Sequence, residues 1–250
     1  MSGHSKWANI KHRKAAQDAK KGNERQKIIK AIIVAAKEGG GDPGMNMRLK
    51  TALEWAREAS VPNDTINRAI KRGTGELEGV SYEELTYEGY GVEGVAIICE
   101  CMTDNRNRTT PEIRALLERN GGSMGTAGSV AWNFERQGNI TIENQVNEDQ
   151  LMEDAIDAGA NDVVINDDGA LVTTDPSTML DVREALEKKG YKIAKAEAIY
   201  VPKTTITISN VEKARKMLKI MDLLEEHDDI QNVYANFEFT DEVNEALAND

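Results

Sequence analysis

The sequence predicts an all-α N-terminal domain followed by two ferredoxin-like α+β domains, one inserted in the other. Three observations lead to this fold class. In residues 1–75 the apolar positions repeat with helical spacing, and beyond a glycine-containing segment at 73–79 the pattern changes to strands that alternate with helices. Residues 139–200 show the order strand-helix-strand twice in succession, which is the split βαβ arrangement. The segments on either side, 95–134 and 204–238, together show the same order.

These patterns also predict the domain boundaries. They give a basic all-α domain at 1–78, an α+β domain formed by 79–136 together with 203–250, and an inserted α+β domain at 137–202. Three consecutive small domains are the competing arrangement. The insertion is favoured because it gives both α+β domains the same order of elements.

The first two helices are predicted from composition and spacing. Residues 1–10 lack an apolar period and are expected to form an extended arm. From Lys11 a run rich in Lys, Arg, Ala and Gln favours a first helix, which Gly22-Asn23 interrupts. Apolar residues within 28–36 then recur at i, i+4 and i+8 and mark the buried face of a second helix. The glycines and the proline of residues 39–44 end this second helix.

Asparagine residues mark the starts of two further helices. Asn46 is the expected N-cap of a third helix, whose apolar stripe lies within 49–56. Asn63 is the expected N-cap of a short fourth helix that ends at Gly73. Residues 1–75 are therefore predicted to form a small helical unit.

Beyond the linker, eight strands and four helices are predicted. The first of these helices is expected to have Thr110 as its N-cap and Pro111 at its first helical position. The other three helices are expected at 148–158, 176–189 and 211–226. The strands are expected at 95–99, 128–134, 139–143, 162–165, 171–174, 192–200, 204–208 and 230–237.

The charge of the chain is unevenly distributed. The whole sequence carries 31 Lys+Arg and 43 Asp+Glu, a net charge of −12, which by itself argues against a nucleic-acid partner. Residues 1–75 hold 16 basic and 7 acidic side chains, a net of +9, so residues 76–250 carry −21. A basic arm on an acidic body favours a polyanionic partner for the arm, because each neutralised phosphate releases counterions. A solvated basic face without a partner is the alternative.

The basic and aromatic side chains of the N-terminal segment are the first candidate nucleic-acid contacts. They are His4, Lys6, Trp7, Lys11, His12, Arg13, Lys14, Lys20 and Lys21. Their cationic members are expected to contact phosphates, which positions a protein on nucleic acid with little base specificity. Trp7 is expected to dock onto the helical unit rather than to stack on a base.

A second candidate contact lies between a strand end and a helix start, where backbone N–H groups favour anions. Its residues are Asp104, Asn105, Arg106, Asn107, Arg108 and Thr109. The functional interpretation is a contact with RNA, DNA or a ribosome. The alternative is a capping network in which Asp104 and the asparagines bond the loop backbone. The sequence leaves both interpretations open.

The sequence offers little for catalysis. Its three histidines form no pair with the spacing of a metal site. Cys99 and Cys101 lie on one face of a predicted strand and are expected to be packed side chains. Gly122, Gly125 and Gly128 could form a phosphate-cradling loop, but a tight helix-to-strand turn is favoured because no lysine and no helix start follow them. We therefore expect no enzymatic activity, no metal, no cofactor and no small-molecule substrate.

The sequence also predicts a cytoplasmic protein without a membrane partner. No apolar run approaches the roughly 18 residues that a membrane span needs. The N-terminus has charged residues where a signal peptide has its apolar stretch.

Six segments resemble one known family. The segment GHSKWANIKHRKAAQDAKKG at 3–22 resembles the N-terminal signature of the YebC family, also called the PmpR family. The further similar segments are KEGGGDP at 37–43, RAIKRGTGELEG at 68–79, YEGYGVEGVA from Tyr87, TDNRNRT at 103–109 and NGGSMGTAGSVAW at 120–132. They follow one another in order along the whole chain. The resemblance implies an all-α N-terminal domain, two α+β domains and no catalytic residues.

The resemblance also implies a function. Members of this family are generally described as DNA-binding transcriptional regulators, which implies a non-enzymatic, nucleic-acid-binding regulator of gene expression with duplex DNA as its partner. Bacterial and mitochondrial members have also been tied to ribosomes stalled at proline-rich stretches. The alternative is therefore a translation factor that binds ribosomal or transfer RNA.

One segment departs from the family pattern. After the glycine at 22 the family usually continues with a basic segment that contains an aromatic residue, whereas residues 23–27 of this chain read NERQK. If that aromatic residue stacks on a base, this chain lacks the contact.

Overall fold

The structure, a computed structural model, describes residues 17–143, 146–166 and 169–248. The chain forms two compact units, which we call the outer unit (Met1–Ala131 and Thr204–Asp250) and the inserted unit (Trp132–Lys203). An N-terminal helical part is followed by β-containing parts, as the sequence predicts. The predicted extended arm lies outside the described residues.

The helices and strands are numbered in chain order. They are α1 (Gln17–Gly39), α2 (Met47–Glu58), α3 (Asn63–Gly73), β1 (Glu83–Tyr90), β2 (Ala96–Thr103), α4 (Arg106–Arg119), β3 (Ser123–Met124), β4 (Phe134–Glu143), α5 (Glu148–Asp157), β5 (Asp162–Asn166), β6 (Gly169–Thr174), α6 (Met179–Lys188), β7 (Ile193–Pro202), β8 (Ile206–Ile208), α7 (Val211–Glu226), β9 (Ile230–Ala235), β10 (Phe237–Phe239) and α8 (Asp241–Ala248). Short 3-10 turns lie at Val92–Gly94 and Ala131–Asn133.

The three N-terminal helices enclose a core of their own. Its buried members are Ile28, Ile32, Ile33, Ala35, Ala36, Leu49, Ala52, Leu53, Ala56, Val61, Ile66 and Ala69. The helix ends predicted at Gly39 and Gly73 are confirmed. The apolar stripe predicted for the helix after Asn46 is also confirmed.

The predicted break at Gly22-Asn23 is wrong, because α1 runs through both residues. A glycine inside a helix destabilises it by only about 1 kcal/mol relative to alanine. Hydrogen bonds and packing along α1 offset this loss of helix stability. The Asn23 side chain donates to the carbonyl of Glu226 at 2.8 Å, and the Lys27 ammonium donates to the carbonyl of Glu225 at 2.7 Å. The buried face that starts at Ile28 adds to them.

The predicted N-cap of α2 is confirmed, whereas that of α3 is displaced by one residue. The Asn46 side chain accepts a hydrogen bond from the Leu49 backbone N–H at 3.0 Å. Helix α3 begins at Asn63 itself, and Pro62 occupies the N-cap position without a side-chain cap. The extended conformation that precedes the helix is one that proline adopts readily, with φ −60° and ψ 138° at Pro62.

Gly73 at the end of α3 is required by close packing. A Cβ built there would lie 2.5 Å from the carbonyl oxygen of Ile33 and 2.6 Å from the Cβ of Ala36, both on α1. We expect Gly73→Ala to push the two helices apart and to lower the free energy of unfolding by about 1–3 kcal/mol. Urea unfolding followed by circular dichroism measures this loss. The matched control is Gly79→Ala, whose Cβ would meet only the flexible Arg72 side chain. Equal losses in the two variants would contradict the packing role.

The β-containing part of the outer unit is built on an antiparallel four-stranded sheet with the order β3-β1-β2-β9. Strands β8 and β10 form a separate parallel pair. Helices α4 and α7 supply the buried residues that meet β2 in the core. This core includes Val95, Ile97, Cys99, Cys101, Ile113, Leu117, Met217, Ile220 and Leu224.

The ferredoxin-like arrangement predicted for the outer α+β domain is therefore not the one observed. That arrangement places the strand at 204–208 inside the main sheet, next to the first strand. The position beside β2 is instead taken by β1, which the sequence does not predict. Strand β1 reads EELTYEGY, and Leu85 and Tyr87 are its only apolar side chains on the core before Gly89. This alternation is too short to identify a strand from the sequence.

Two predicted boundaries in the outer unit are also wrong. Helix α4 begins at Arg106 with Asn105 as its N-cap, so Pro111 lies inside the helix. The predicted strand at 128–134 is a turn, and the strand begins only at Phe134. In that turn the backbone N–H groups of Gly128, Val130 and Ala131 donate to the carboxylate of Glu88 rather than to a neighbouring strand.

The inserted unit shows the element order that the sequence predicts for it. Its antiparallel four-stranded sheet has the order β5-β6-β4-β7. Helices α5 and α6 pack on this sheet. Their shared core includes Ile140 and Val172 of the strands and Leu151, Val182 and Leu186 of the helices. Helix α6 begins at Met179, three residues later than predicted. Within the described ranges of both units, no helix is long and apolar enough to cross a membrane.

Candidate nucleic-acid interface

Most of the predicted N-terminal contacts precede the described part of the chain. His4, Lys6, Trp7, Lys11, His12, Arg13 and Lys14 lie outside the described residues. Lys20 and Lys21 lie in the first turns of α1. The backbone of α1 continues from these two lysines to Gly39 without a break.

The predicted loop from 104 to 109 is largely the first turn of a helix. Asn105 caps α4, and its side chain accepts from the Arg108 backbone N–H at 3.2 Å. The Thr103 hydroxyl accepts from the Asn105 N–H at 2.9 Å and is bonded to the Thr109 hydroxyl at 2.7 Å. A capping network is thus present, formed by Asn105 with Thr103 and Thr109, whereas Asp104 bonds the Arg108 side chain and not the backbone. Residues 104–108 remain exposed, whereas Thr109 is buried.

The buried carboxylate of Asp229, in the turn after α7, organises this helix start. Its Oδ2 atom accepts from Arg108 at 2.6 Å, from the Thr109 hydroxyl at 2.7 Å and from the Thr103 hydroxyl at 3.2 Å. Its Oδ1 atom accepts from the Lys30 ammonium at 2.7 Å. Burial raises the pKa of Asp229, but the bonds from Lys30, Arg108 and Thr109 outweigh burial and hold the pKa well below its usual range.

Helix α1 contacts the same region with one face. Asn23, Lys27 and Lys30 are spaced four and three residues apart, so they project from one side of the helix. They donate to carbonyls at the C-terminal end of α7 and in the turn that follows it. The acceptors are Glu226 for Asn23, Glu225 for Lys27 and Asp228 for Lys30. The lysines thereby meet the negative end of the α7 dipole and satisfy carbonyls that a helix leaves unpaired.

The two arginines of the predicted loop have different surroundings. Arg108 donates to Asp229 and also to Asp104 at 3.0 Å, so its guanidinium is held by two carboxylates. Arg106 and Asn107 are exposed and form no ion pair with another described residue. Of this pair of arginines, Arg106 has the guanidinium that is available to a phosphate.

Lys30 and Asp229 are central to this network, and sequence reasoning does not identify them. They are 199 positions apart. Neither belongs to a motif, and a lysine inside an apolar helical stripe is normally solvated. Only the fold brings them together.

The glycine-rich turn at 122–128 does not form an empty phosphate cradle. The Glu88 carboxylate accepts from the backbone N–H groups of Gly128, Val130 and Ala131 at 2.6–2.8 Å. Burial raises the pKa of Glu88, but these three bonds outweigh it and lower the pKa. The turn that the sequence favours is therefore stabilised by an anion of the chain itself.

The two cysteines and His227 of the outer unit have structural surroundings. Cys99 and Cys101 are buried in the core, as predicted, and burial raises the pKa of the Cys99 thiol to about 12. The His227 Nδ1 atom accepts from the Asp229 N–H at 3.1 Å, and its Nε2 atom lies 3.3 Å from Glu112. Across residues 17–143, 146–166 and 169–248, no group of three or more His, Cys, Asp or Glu side chains is placed to hold a metal ion.

Comparison with known proteins finds matches to the domains of one family. Residues 5–76 match the model of the TACO1/YebC protein N-terminal domain, and residues 82–237 match that of the TACO1/YebC second and third domain. A probable transcriptional regulatory protein of Dictyoglomus turgidum is 54% identical over 99% of this chain and 100% of its own length. One of Halothermothrix orenii is 51% identical over 99% of both chains. The crystal structure of a conserved hypothetical protein of Aquifex aeolicus, 44% identical, superposes with a TM-score of 0.82 over 91% of this chain and 95% of that chain.

Proposed function

Because the chain belongs to the TACO1/YebC family, whose relatives are named probable transcriptional regulatory proteins, we propose that it is a non-enzymatic regulator of gene expression that binds nucleic acid. Duplex DNA is the proposed partner, and the cytoplasm is the proposed location. The proposal includes neither a cofactor nor a small-molecule substrate.

The charge separation between the two parts of the chain is the observation that carries this proposal. Residues 1–75 have a net charge of +9 on an otherwise acidic chain. Helix α1 brings Lys20 and Lys21 directly after the basic arm and is fixed to the body by Lys27 and Lys30. The cations of the arm would bind phosphates, and the body, with a net charge of −21, would keep the polyanion at one end of the protein.

The exposed start of α4 is the proposed second contact. Arg106 and Asn107 would donate to the backbone of the nucleic acid. Arg108 would position them, because Asp229 and Asp104 already hold its guanidinium. Asp104, Asn105 and Thr109 would shape the helix start.

If the basic N-terminal segment binds phosphates, binding should depend steeply on the salt concentration. For duplex DNA, log Kd should rise with log salt by about 0.9 per phosphate contacted, and for single strands by about 0.7. Replacing Lys11, Arg13 and Lys14 with alanine should therefore lower the slope by about 2–3 and weaken binding. Fluorescence anisotropy of a labelled 24-base-pair duplex between 50 and 300 mM salt measures both quantities.

The matched control removes three cations from the inserted unit. Lys188, Lys192 and Lys195 are exposed, and their replacement by alanine changes the net charge by the same amount. This control should leave the slope within about 0.5 of the wild-type value. A flat salt dependence of the wild-type protein would contradict phosphate binding by the basic N-terminal segment. An equal effect of the two triple variants would contradict it as well.

The translation alternative differs in the nucleic acid that is recovered from cells. Crosslinking in lysate followed by sequencing of the bound nucleic acid separates the two functions. Recovery of promoter DNA supports the proposed function. Recovery of ribosomal or transfer RNA, together with co-sedimentation with ribosomes, supports a translation factor that relieves stalling at proline-rich stretches.

A further inference from the structure

Helices α2 and α3 are joined by a short hydrogen-bonded turn, residues 59–62. The Val61 N–H donates to the carbonyl of Ala56 at 2.8 Å, and the Ala59 N–H donates to that of Trp55 at 2.9 Å. Ser60 has φ +53°, the left-handed conformation that ends a helix in this kind of turn. Val61 is buried in the core of the three helices. The helix-turn-helix motif of DNA-binding proteins likewise joins its two helices by a turn of three or four residues.

The outer face of α3 carries polar side chains. Ile66 and Ala69 form its buried face. The exposed side chains are Asn63, Asp64, Asn67, Arg68, Lys71 and Arg72. Asn67, Arg68 and Lys71 form no side-chain hydrogen bond or ion pair with another described residue. Their donors are therefore free to meet a ligand.

Arg68 and Lys71 of α3 lack the carboxylate partner that many other cations of the chain have. Many cations of this acidic chain are bound to a carboxylate, as Lys189 is to Asp154 at 2.6 Å and Arg183 to Glu187 at 2.8 Å. Arg57 of α2 resembles the cations of α3, because its exposed side chain forms no ion pair among the described residues. Arg57, Arg68 and Lys71 thus present unneutralised positive charge that suits a polyanion.

We propose that α3 is a recognition helix that enters the major groove of duplex DNA. Asn67 would read adenine and Arg68 guanine, since these side chains bond the respective base edges in bidentate fashion. Lys71 and Arg57 would contact the flanking phosphates, and Asp64, the one acid on this face, would accept from cytosine N4. This inference rests on the proposed function and adds the residues that read sequence.

Duplex DNA is the occupant that this surface fits. The major groove of B-form DNA is about 12 Å wide and admits an α-helix, whereas that of A-form RNA is too narrow for side chains to read. The 11 residues of α3 give a rod about 16 Å long, which is enough to cross the groove. Single-stranded RNA is normally read by stacking on aromatic side chains, and α3 has none.

Selection from a duplex DNA pool with a 20-base-pair randomised core tests the proposal. The wild-type protein should enrich a defined motif. Asn67→Ala and Arg68→Ala should each weaken binding to that motif by about 5- to 150-fold. Their binding to an unselected duplex should change less than threefold, because base contacts specify and phosphate contacts supply the general affinity. The matched controls are Arg114→Ala and Asn161→Ala, which remove exposed side chains of the same types elsewhere and should leave motif binding unchanged.

The outcomes separate this inference from the proposed function. If the wild-type protein binds duplexes with steep salt dependence but enriches no motif, the electrostatic arm stands and the recognition helix is overturned. If both α3 variants bind the selected motif as the wild type does, the reading residues lie elsewhere and the inference fails. If an A-form RNA duplex competes as well as the selected DNA, the inference fails as well. If no nucleic acid binds, the proposed function fails. Circular dichroism melting of both variants checks that they are folded.

Discussion

Replacing Asp229 with alanine should lower the free energy of unfolding of the outer unit by about 3–5 kcal/mol. The carboxylate is only 2% exposed, and it accepts from Lys30, Arg108 and Thr109. Its loss leaves the ammonium of Lys30, itself 8% exposed, without an anionic partner. A buried charge that loses its partner is far more destabilising than the intact pair is stabilising.

Urea unfolding at pH 7, followed by circular dichroism, measures this effect. The matched control is Asp228→Ala, because Asp228 is exposed and offers Lys30 only its backbone carbonyl. The control should change stability by less than about 0.5 kcal/mol. Lys30→Met should be milder than Asp229→Ala, since Arg108 and Thr109 still bond the carboxylate. A loss below about 1 kcal/mol in Asp229→Ala would contradict the role assigned to this residue.

The same carboxylate makes the stability of the outer unit depend on pH. The pKa of Asp229 lies below its unfolded value of about 3.9, so its contribution is complete above that pH and is lost as the pH falls through the folded pKa. The free energy of unfolding of the wild type should therefore fall more steeply between pH 5 and pH 2 than that of Asp229→Asn. Identical acid profiles would show that the carboxylate does not stabilise the fold.

Replacing Asn46 with alanine is expected to cost about 2–4 kcal/mol. The side chain is 7% exposed and satisfies groups on two segments. Its oxygen caps α2 at Leu49, and its amide donates to the carbonyls of Ala35 and Gly40 at 2.8 Å each. Loss of an N-cap destabilises by about 1 kcal/mol, and a buried carbonyl left without a donor adds about 1–3 kcal/mol.

The matched control for Asn46 is the N-cap of α7. Asn210 is exposed, and its side chain only accepts from the Lys213 N–H at 3.0 Å. Asn210→Ala should therefore cost about 1 kcal/mol, the value of a cap alone. Asn46→Asp retains the capping oxygen but turns a carboxylate toward two carbonyls, so it should fall near Asn46→Ala. Equal losses at Asn46 and Asn210 would mean that the amide donors of Asn46 contribute nothing.

Local patterns predicted the elements whose burial follows a period along the chain. The stripe of α2 and all residues of α7 were predicted because their apolar positions repeat with helical spacing. Strand β1 was missed because its place between β2 and β3 depends on partners and not on its own composition. Helix α4 was predicted to start too late because Pro111 is a strong helix-start signal, whereas Thr103 and Asp229 fix the actual start at Arg106.

The candidate site was predictable in its charge and not in its geometry. Counting charges identifies the basic N-terminal segment, since this needs only the sequence. The separate surroundings of Arg106 and Arg108 depend on Asp229, which is 121 positions from Arg108. The free face of α3 likewise becomes visible only when the fold shows which cations have a carboxylate beside them.

The path of the chain through the inserted unit has a consequence for how the protein can change. The unit begins and ends on two neighbouring strands, since Phe134 pairs with Pro202 and the Lys203 N–H donates to the carbonyl of Asn133 at 2.7 Å. Its two ends therefore lie side by side. A unit with adjoining ends, as Trp132–Lys203 is, can be gained, lost or exchanged as one cassette by closing a short gap. Such a change in the inserted unit would leave the β1–β2 and β2–β9 pairing of the outer unit in register.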